Sequence, residues 1–229
     1  MVIIAGTGAQ SARQTKELGV QAKESGAGWV LVLTLSTWAQ AMGPVTILEY
    51  HREVADACPL PYMIYNNPTV TVGIDLDSNL ISSLATHTKL SSFDYQTSFA
   101  TIGAKSDAHL RTLLSSGTGT IPALVNIVPK VHTKIYKIFL EYQKTKDVRL
   151  LEEAYSLQEK LSIADWAMMK IGTLGGVKAI VAQEFGYGNG NGKVRLPLRE
   201  VNLGVVVQSE QGAKWWKAVE EVLKIEKSL

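Results

Sequence analysis

Tyr65-Asn66-Asn67-Pro68 is the segment whose residue types most directly suggest chemistry. A phenol at the carboxyl end of a buried parallel strand points into the loop face, where α/β active sites are assembled, and it can carry protons there. The same four residues also make an ordinary strand stop, because asparagine favours turns and proline follows them. Gly6-Thr7-Gly8-Ala9-Gln10-Ser11 sits between a strand and a helix, the context of a dinucleotide-binding turn. It has Ser11 at the third small position, and no acid ends the following run at Leu33-Thr34-Leu35. A tight βα turn accounts for it equally well. Gly103-Ala104-Lys105-Ser106 lacks the upstream glycine of a phosphate loop. Asp75-Leu76-Asp77-Ser78-Asn79 begins like a calcium loop, but Leu80 stands where a glycine must turn the chain. His51, His87, His109 and His132 form no ligand spacing, so no metal is implied. Lys89, taken alone, reads as a solvated surface charge.

The elements that must position these residues follow from periodicity. Val2 to Ala5, Trp29 to Thr34 and Tyr62 to Tyr65 are short apolar runs suited to buried strands. Thr88 to Ser92, Ser98 to Ile102 and Gly119 to Val125 are weaker strand candidates. Between them the spacing predicts helices over Ser11 to Gln21 with Ser11 as N-cap, over Ile47 to Ala57, after an Asp77 N-cap, and over Asp107 to Ser115. From Pro129 onward the pattern is helical, with later helices reaching Phe185 and spanning Glu210 to Lys227. Alternating strands and helices imply parallel pairing with helical crossovers. The link from Phe93 to Thr97 is too short for such a crossover, which needs about a dozen residues.

Composition narrows the class. The chain has 229 residues, is 46% hydrophobic and 19% charged, and carries a net charge of +2. A disordered chain is excluded, and so small a bias argues for neither nucleic acid nor an anionic membrane as partner. Cys58 is the single cysteine, so no disulfide framework exists. With no membrane-length apolar run and no signal-peptide pattern, a cytoplasmic location is expected.

Five segments in order carry a family resemblance: Ala5-Gly-Thr-Gly-Ala-Gln-Ser11; Tyr65-Asn-Asn-Pro68 with Gly73-Ile-Asp-Leu76; Gly117-Thr-Gly-Thr-Ile-Pro-Ala-Leu-Val-Asn126; Phe185-Gly-Tyr-Gly188; and Val194-Arg-Leu-Pro-Leu198. Together they resemble the dihydrodipicolinate synthase / N-acetylneuraminate lyase family of class I aldolases, and within it the fungal 2-oxo-acid aldolase-like branch. The resemblance implies an α/β fold of the (β/α)8 TIM-barrel family, with residues 1–129 as the barrel part and 130–229 as a C-terminal helical extension. It also implies a homo-oligomer, no cofactor, and a 2-oxo acid plus an aldehyde as small-molecule partners. Lys89, in Thr88-Lys-Leu-Ser91, matches the lysine that forms a Schiff base with pyruvate or another 2-oxo acid. Tyr65 matches the tyrosine that relays protons, and Ile121 the position whose backbone lies against the bound keto acid. Such chemistry is physically reasonable, since burial at a barrel mouth can lower a lysine pKa from about 10.4 by about three units and expose a nucleophilic amine.

The departures from the family pattern are specific. The chain starts at what resembles the third family strand, so the two preceding βα units, with their carboxylate-binding loop, are not in it. An ungapped alignment puts Asp94 at the lysine position, whereas the local match puts Lys89 there. Thr69-Val-Thr-Val72 lacks the arginine that dihydrodipicolinate synthases use for an acceptor carboxylate. An incomplete barrel would expose strand edges and favour association or instability. Two functions follow as expectations: a Schiff-base lyase or aldolase, or a catalytically impaired family member acting as a subunit or interaction protein.

Overall fold

A computed structural model describes residues 2–87, 89–90, 99–190 and 192–229. The chain divides into two compact units, Met1–Ala100 and Thr101–Leu229. The expected division lay at 129/130. The compact boundary falls earlier because Leu110, Leu113, Leu124, Ile127 and Val128 share one buried core with the helices that follow them.

The first unit is a parallel three-stranded sheet in the order β1 (Ile4–Gly6), β2 (Trp29–Leu33), β3 (Tyr62–Tyr65). Its register sets Ile4 beside Trp29 and Leu33 beside Tyr65. Helices α1 (Ala12–Glu24) and α2 (Pro44–Ala57) form the crossovers, and α3 (Ser78–Ala85) follows β3. Two expected caps are in place. The Ser11 hydroxyl accepts from the Gln14 amide, and the Asp77 carboxylate accepts from the Leu80 amide at 2.8 Å, which pairs donors that a helix start otherwise leaves free. Val30 and Val32 of the central strand are fully buried and pack with Ile47, Val54, Leu80 and Leu84. This continuous apolar strand, covered by helices, is what parallel pairing requires.

In the second unit β4 (Ile102–Gly103) pairs in parallel with β5 (Gly119–Thr120) across α4 (His109–Leu114). The two runs expected to be strands over Ser98 to Ile102 and Gly119 to Val125 are thus largely loop. Phe99 to Thr101 is not extended into the sheet, and Pro122, which has no N–H for a ladder, precedes a short 3-10 turn over Ala123–Asn126. Ser98 lies outside the described residues. Helices α5 (Pro129–Thr145), α6 (Val148–Ile171), α7 (Thr173–Phe185), α8 (Leu203–Val206) and α9 (Glu210–Ser228) complete the unit. Glu226, on α9, is buried, and its carboxylate accepts from the amides of Lys130 at 2.9 Å and Val131 at 3.0 Å, capping the start of α5. Among the described residues no helix is long and apolar enough to cross a membrane.

Candidate active site

The three strands of the first unit end together, and the loops that leave them form one polar rim. After β3, Asn66 and Asn67 lock the turn with their side chains. Asn66 accepts from the Leu76 amide at 3.1 Å and donates to the Asp75 carboxylate at 2.8 Å. Asn67 donates to the Tyr65 hydroxyl at 2.9 Å. The phenol oxygen is therefore already an acceptor, and its own hydrogen is left to donate. Tyr65 is half-buried at the strand's carboxyl end, where the sequence places it.

Gln10 ties the first loop to the second. Its Oε1 accepts from the amides of Ser36 and Thr37 and from the Thr37 hydroxyl, each at 2.8 Å. Sequence reading missed this clamp, because its partners lie 26 and 27 positions away and meet only when β1 and β2 pair. The glycine pair before it has a structural use. A Cβ on Gly8 would come within 2.6 Å of the Leu33 backbone nitrogen, so the loop can cross the end of β2 only without a side chain. The buried Thr7 hydroxyl has no hydrogen-bond partner among the described residues.

Lys89 lies elsewhere. The expected strand over Thr88 to Ser92 is a turn at Lys89 and Leu90, and Thr88, Ser91 and Ser92 lie outside the described residues. Its Nζ donates to the Asp56 backbone carbonyl at 2.6 Å, in the last turn of α2. His87, within 3.2 Å of the Asp56 carboxylate, flanks the same spot. Burial pushes the Cys58 thiol pKa up, while its hydrogen bond to Leu60 and the charge of Lys89 pull the other way. Asp56, Cys58 and Leu60 all shortly precede Tyr62, so the amine that contacts Asp56 sits at the amino end of β3. Tyr65 closes that strand at its other end, about 10 Å further along for three residue steps. The structure does not bring this amine and this phenol together. Asp94 and the link from Phe93 to Thr97 lie outside the described residues.

Ile121 belongs to the second unit. It follows β5, its amide donates to the Gly103 carbonyl at 2.8 Å, and its side chain is half exposed. Nearby, the Gly103 to Ser106 segment holds no phosphate-loop geometry. Ser106 is fully buried, with its hydroxyl 2.9 Å from His132 Nε2, while His132 Nδ1 donates to the Val128 carbonyl at 2.8 Å. His109 donates to the His132 carbonyl and meets the Thr120 hydroxyl at 2.8 Å. His51, fully buried in the first unit, lies between the hydroxyls of Thr34 at 2.9 Å and Tyr62 at 2.8 Å. Desolvation lowers the pKa of His51 and of His132 to about 4, so both are neutral core groups. Among the described residues no three His, Cys, Asp or Glu side chains converge as a metal site.

Parallel strands joined by right-sized helical crossovers, with polar loops gathered at their carboxyl ends, define an α/β fold of the kind that carries catalytic sites on those loops. The profile of the dihydrodipicolinate synthetase family matches residues 1–208, and the chain belongs to that family. It is 32% identical over 244 residues to a protein of Emericella nidulans named probable mitochondrial 4-hydroxy-2-oxoglutarate aldolase, covering 100% of this chain and 74% of that one. It is 30% identical over 242 residues to the L-threo-3-deoxy-hexylosonate aldolase of Hypocrea jecorina, covering 96% and 71%. The crystal structure of a dihydrodipicolinate synthase family protein from Coccidioides immitis superposes with a TM-score of 0.75 at 26% identity, over 100% of this chain and 74% of that one. These structural relatives are TIM barrels.

Proposed function

We propose that this chain is a Schiff-base-forming lyase of the aldolase type, acting on a 2-oxo acid of the pyruvate class in a reduced intracellular compartment. The observation that carries the reading is family membership together with Tyr65-Asn66-Asn67-Pro68 set at the carboxyl end of β3, with the phenol hydrogen free to donate. In this reading the amine of Lys89 attacks the keto carbon and water leaves to give a protonated imine. As a base takes the proton of the C4 hydroxyl, the C3–C4 bond breaks, its electron pair moves into the imine at C2 to leave an enamine, and C4 departs as the aldehyde. Protonation of the resulting enamine and hydrolysis of the imine return the amine and release the 2-oxo acid. Tyr65 moves the protons of dehydration and rehydration, and the backbone at Ile121 flanks the keto acid. For the amine to serve, it must leave the Asp56 carbonyl and reach the carboxyl end of the sheet.

That requirement favours a second reading: a family member impaired in turnover, which serves as a subunit or interaction protein. Its specific support is the Lys89–Asp56 hydrogen bond at the far end of β3. Incubation with pyruvate, reduction with borohydride and mapping by mass spectrometry separate the two. An adduct on Lys89 that is lost in Lys89→Ala supports the lyase, and absence of any adduct with several 2-oxo acids overturns it.

A further inference from the structure

Two side-chain hydroxyls of the second unit end on buried histidines, and the pairing fixes which atom carries each hydrogen. His109 Nε2 lies 3.2 Å from the His132 carbonyl, an oxygen that can only accept, so Nε2 holds the ring hydrogen. Burial lowers the pKa of His109, against the pull of that carbonyl, and Nδ1 keeps its lone pair. The Thr120 hydroxyl, 2.8 Å away, therefore donates to it. In the same way His132 Nδ1 is committed to the Val128 carbonyl, and Nε2 accepts from Ser106 at 2.9 Å.

Thr120 is the last residue of β5, and Ile121 follows it. The β4–β5 ladder is two residues long, so few backbone bonds fix where the strand ends. Past it the Ile121 amide donates to the Gly103 carbonyl at 2.8 Å. Successive side chains of a strand point to opposite faces. Thr120 turns to His109 at the start of α4, while Ile121 is half exposed. A valine–leucine pair of similar shape would fill the space of Thr120 and His109 with no polar group to desolvate. What the polar pair adds is direction, because the bond allows one rotamer of Thr120 and one setting of the backbone beside it.

We propose that His109 and Thr120 are positioning residues for the keto acid: their hydrogen bond holds the backbone at Ile121 where the 2-oxo acid lies against it. Neither side chain touches the substrate. Placing the keto acid at Ile121 rests on the function proposed above, but the tie between Thr120 and His109 does not.

Pyruvate titration of isotope-labelled protein, followed by the NMR signal of the Ile121 amide, tests the proposal together with the borohydride trapping rate at saturating pyruvate. Thr120→Val removes the hydroxyl and keeps the shape. It should raise the pyruvate dissociation constant about tenfold and leave the saturating trapping rate unchanged, the pattern of a lost ground-state contact. Thr120→Ser, which keeps the hydroxyl, should restore most of the affinity. His109→Leu should match Thr120→Val, and the double variant should weaken binding no further, because each loses the same bond. If His109→Leu does not fold, the two Thr120 variants still decide. An unmoved dissociation constant in Thr120→Val, no recovery in Thr120→Ser, or a fall in the saturating rate alone overturns the proposal. So does failure of pyruvate to shift the Ile121 amide of the wild type. Pyruvate that shifts Ile121 and gains affinity from Thr120 without forming an adduct keeps the positioning role and rejects the lyase. An adduct formed with an affinity indifferent to Thr120 does the reverse.

Discussion

The Lys89 amine and the Asp56 carbonyl meet at 2.6 Å at the amino end of β3, one strand length from the hydroxyl of Tyr65. The lysine that the family resemblance selects is thus held by a helix C-terminus, where unpaired carbonyls attract cations. The contact is exposed, and its rupture therefore costs little.

Replacing Lys89 with alanine should therefore shift stability by no more than about 0.5 kcal/mol. Urea unfolding reads this directly. If the lyase reading holds, the same substitution abolishes borohydride trapping with pyruvate, so loss of trapping cannot be ascribed to unfolding.

Acid should destabilise the protein through its buried histidines. The pKa values of His51 and His132 fall to about 4 from a usual 6.5, so the unfolded chain binds their protons first. Stability is full above pH 6.5 and is lost progressively as the pH falls toward 4. Each histidine contributes on the order of 3 kcal/mol to that loss. Urea midpoints measured from pH 7 to pH 4 should fall steeply, and His51→Gln should flatten the slope at a cost in stability at neutral pH.

Glu226 should be more important to stability than any exposed ion pair. Glu226→Ala strips two backbone amides at the start of α5 of their buried acceptor. A loss of about 1–2 kcal/mol is expected, and Glu226→Gln should recover part of it because a neutral oxygen can still accept. Thermal melts of the two variants give the comparison.

Gly8→Ala should destabilise the first unit by about 1–3 kcal/mol, since the added Cβ has only the Leu33 backbone to push against. Val72→Gly should act in the opposite sense. It relieves the φ 55° conformation and should stabilise the fold by on the order of 1 kcal/mol, seen as a raised urea midpoint. A fall in the midpoint would show that the left-handed valine is not strained.

Much of the first unit was legible in the chain itself. Trp29-Val-Leu-Val-Leu33 specifies a strand buried on both faces, Ser11 and Asp77 announce helix starts, and Tyr65-Asn-Asn-Pro68 marks a strand end, because each signal is a local property of backbone and side chain. The helices after Pro129 were equally plain from their apolar stripes. The strands expected around Lys89, Phe99 and Val125 were not borne out to that length, since short apolar runs have no periodicity to tell a strand from a loop. What the sequence determined, with its motifs in order, is the family and the parallel α/β plan. Tertiary structure alone decided which distant groups meet: Gln10 with Ser36 and Thr37, His51 with Thr34 and Tyr62, and Lys89 with Asp56. Hydrogen bonds between loops arise only after strand pairing has fixed their separation, and no local pattern encodes that distance.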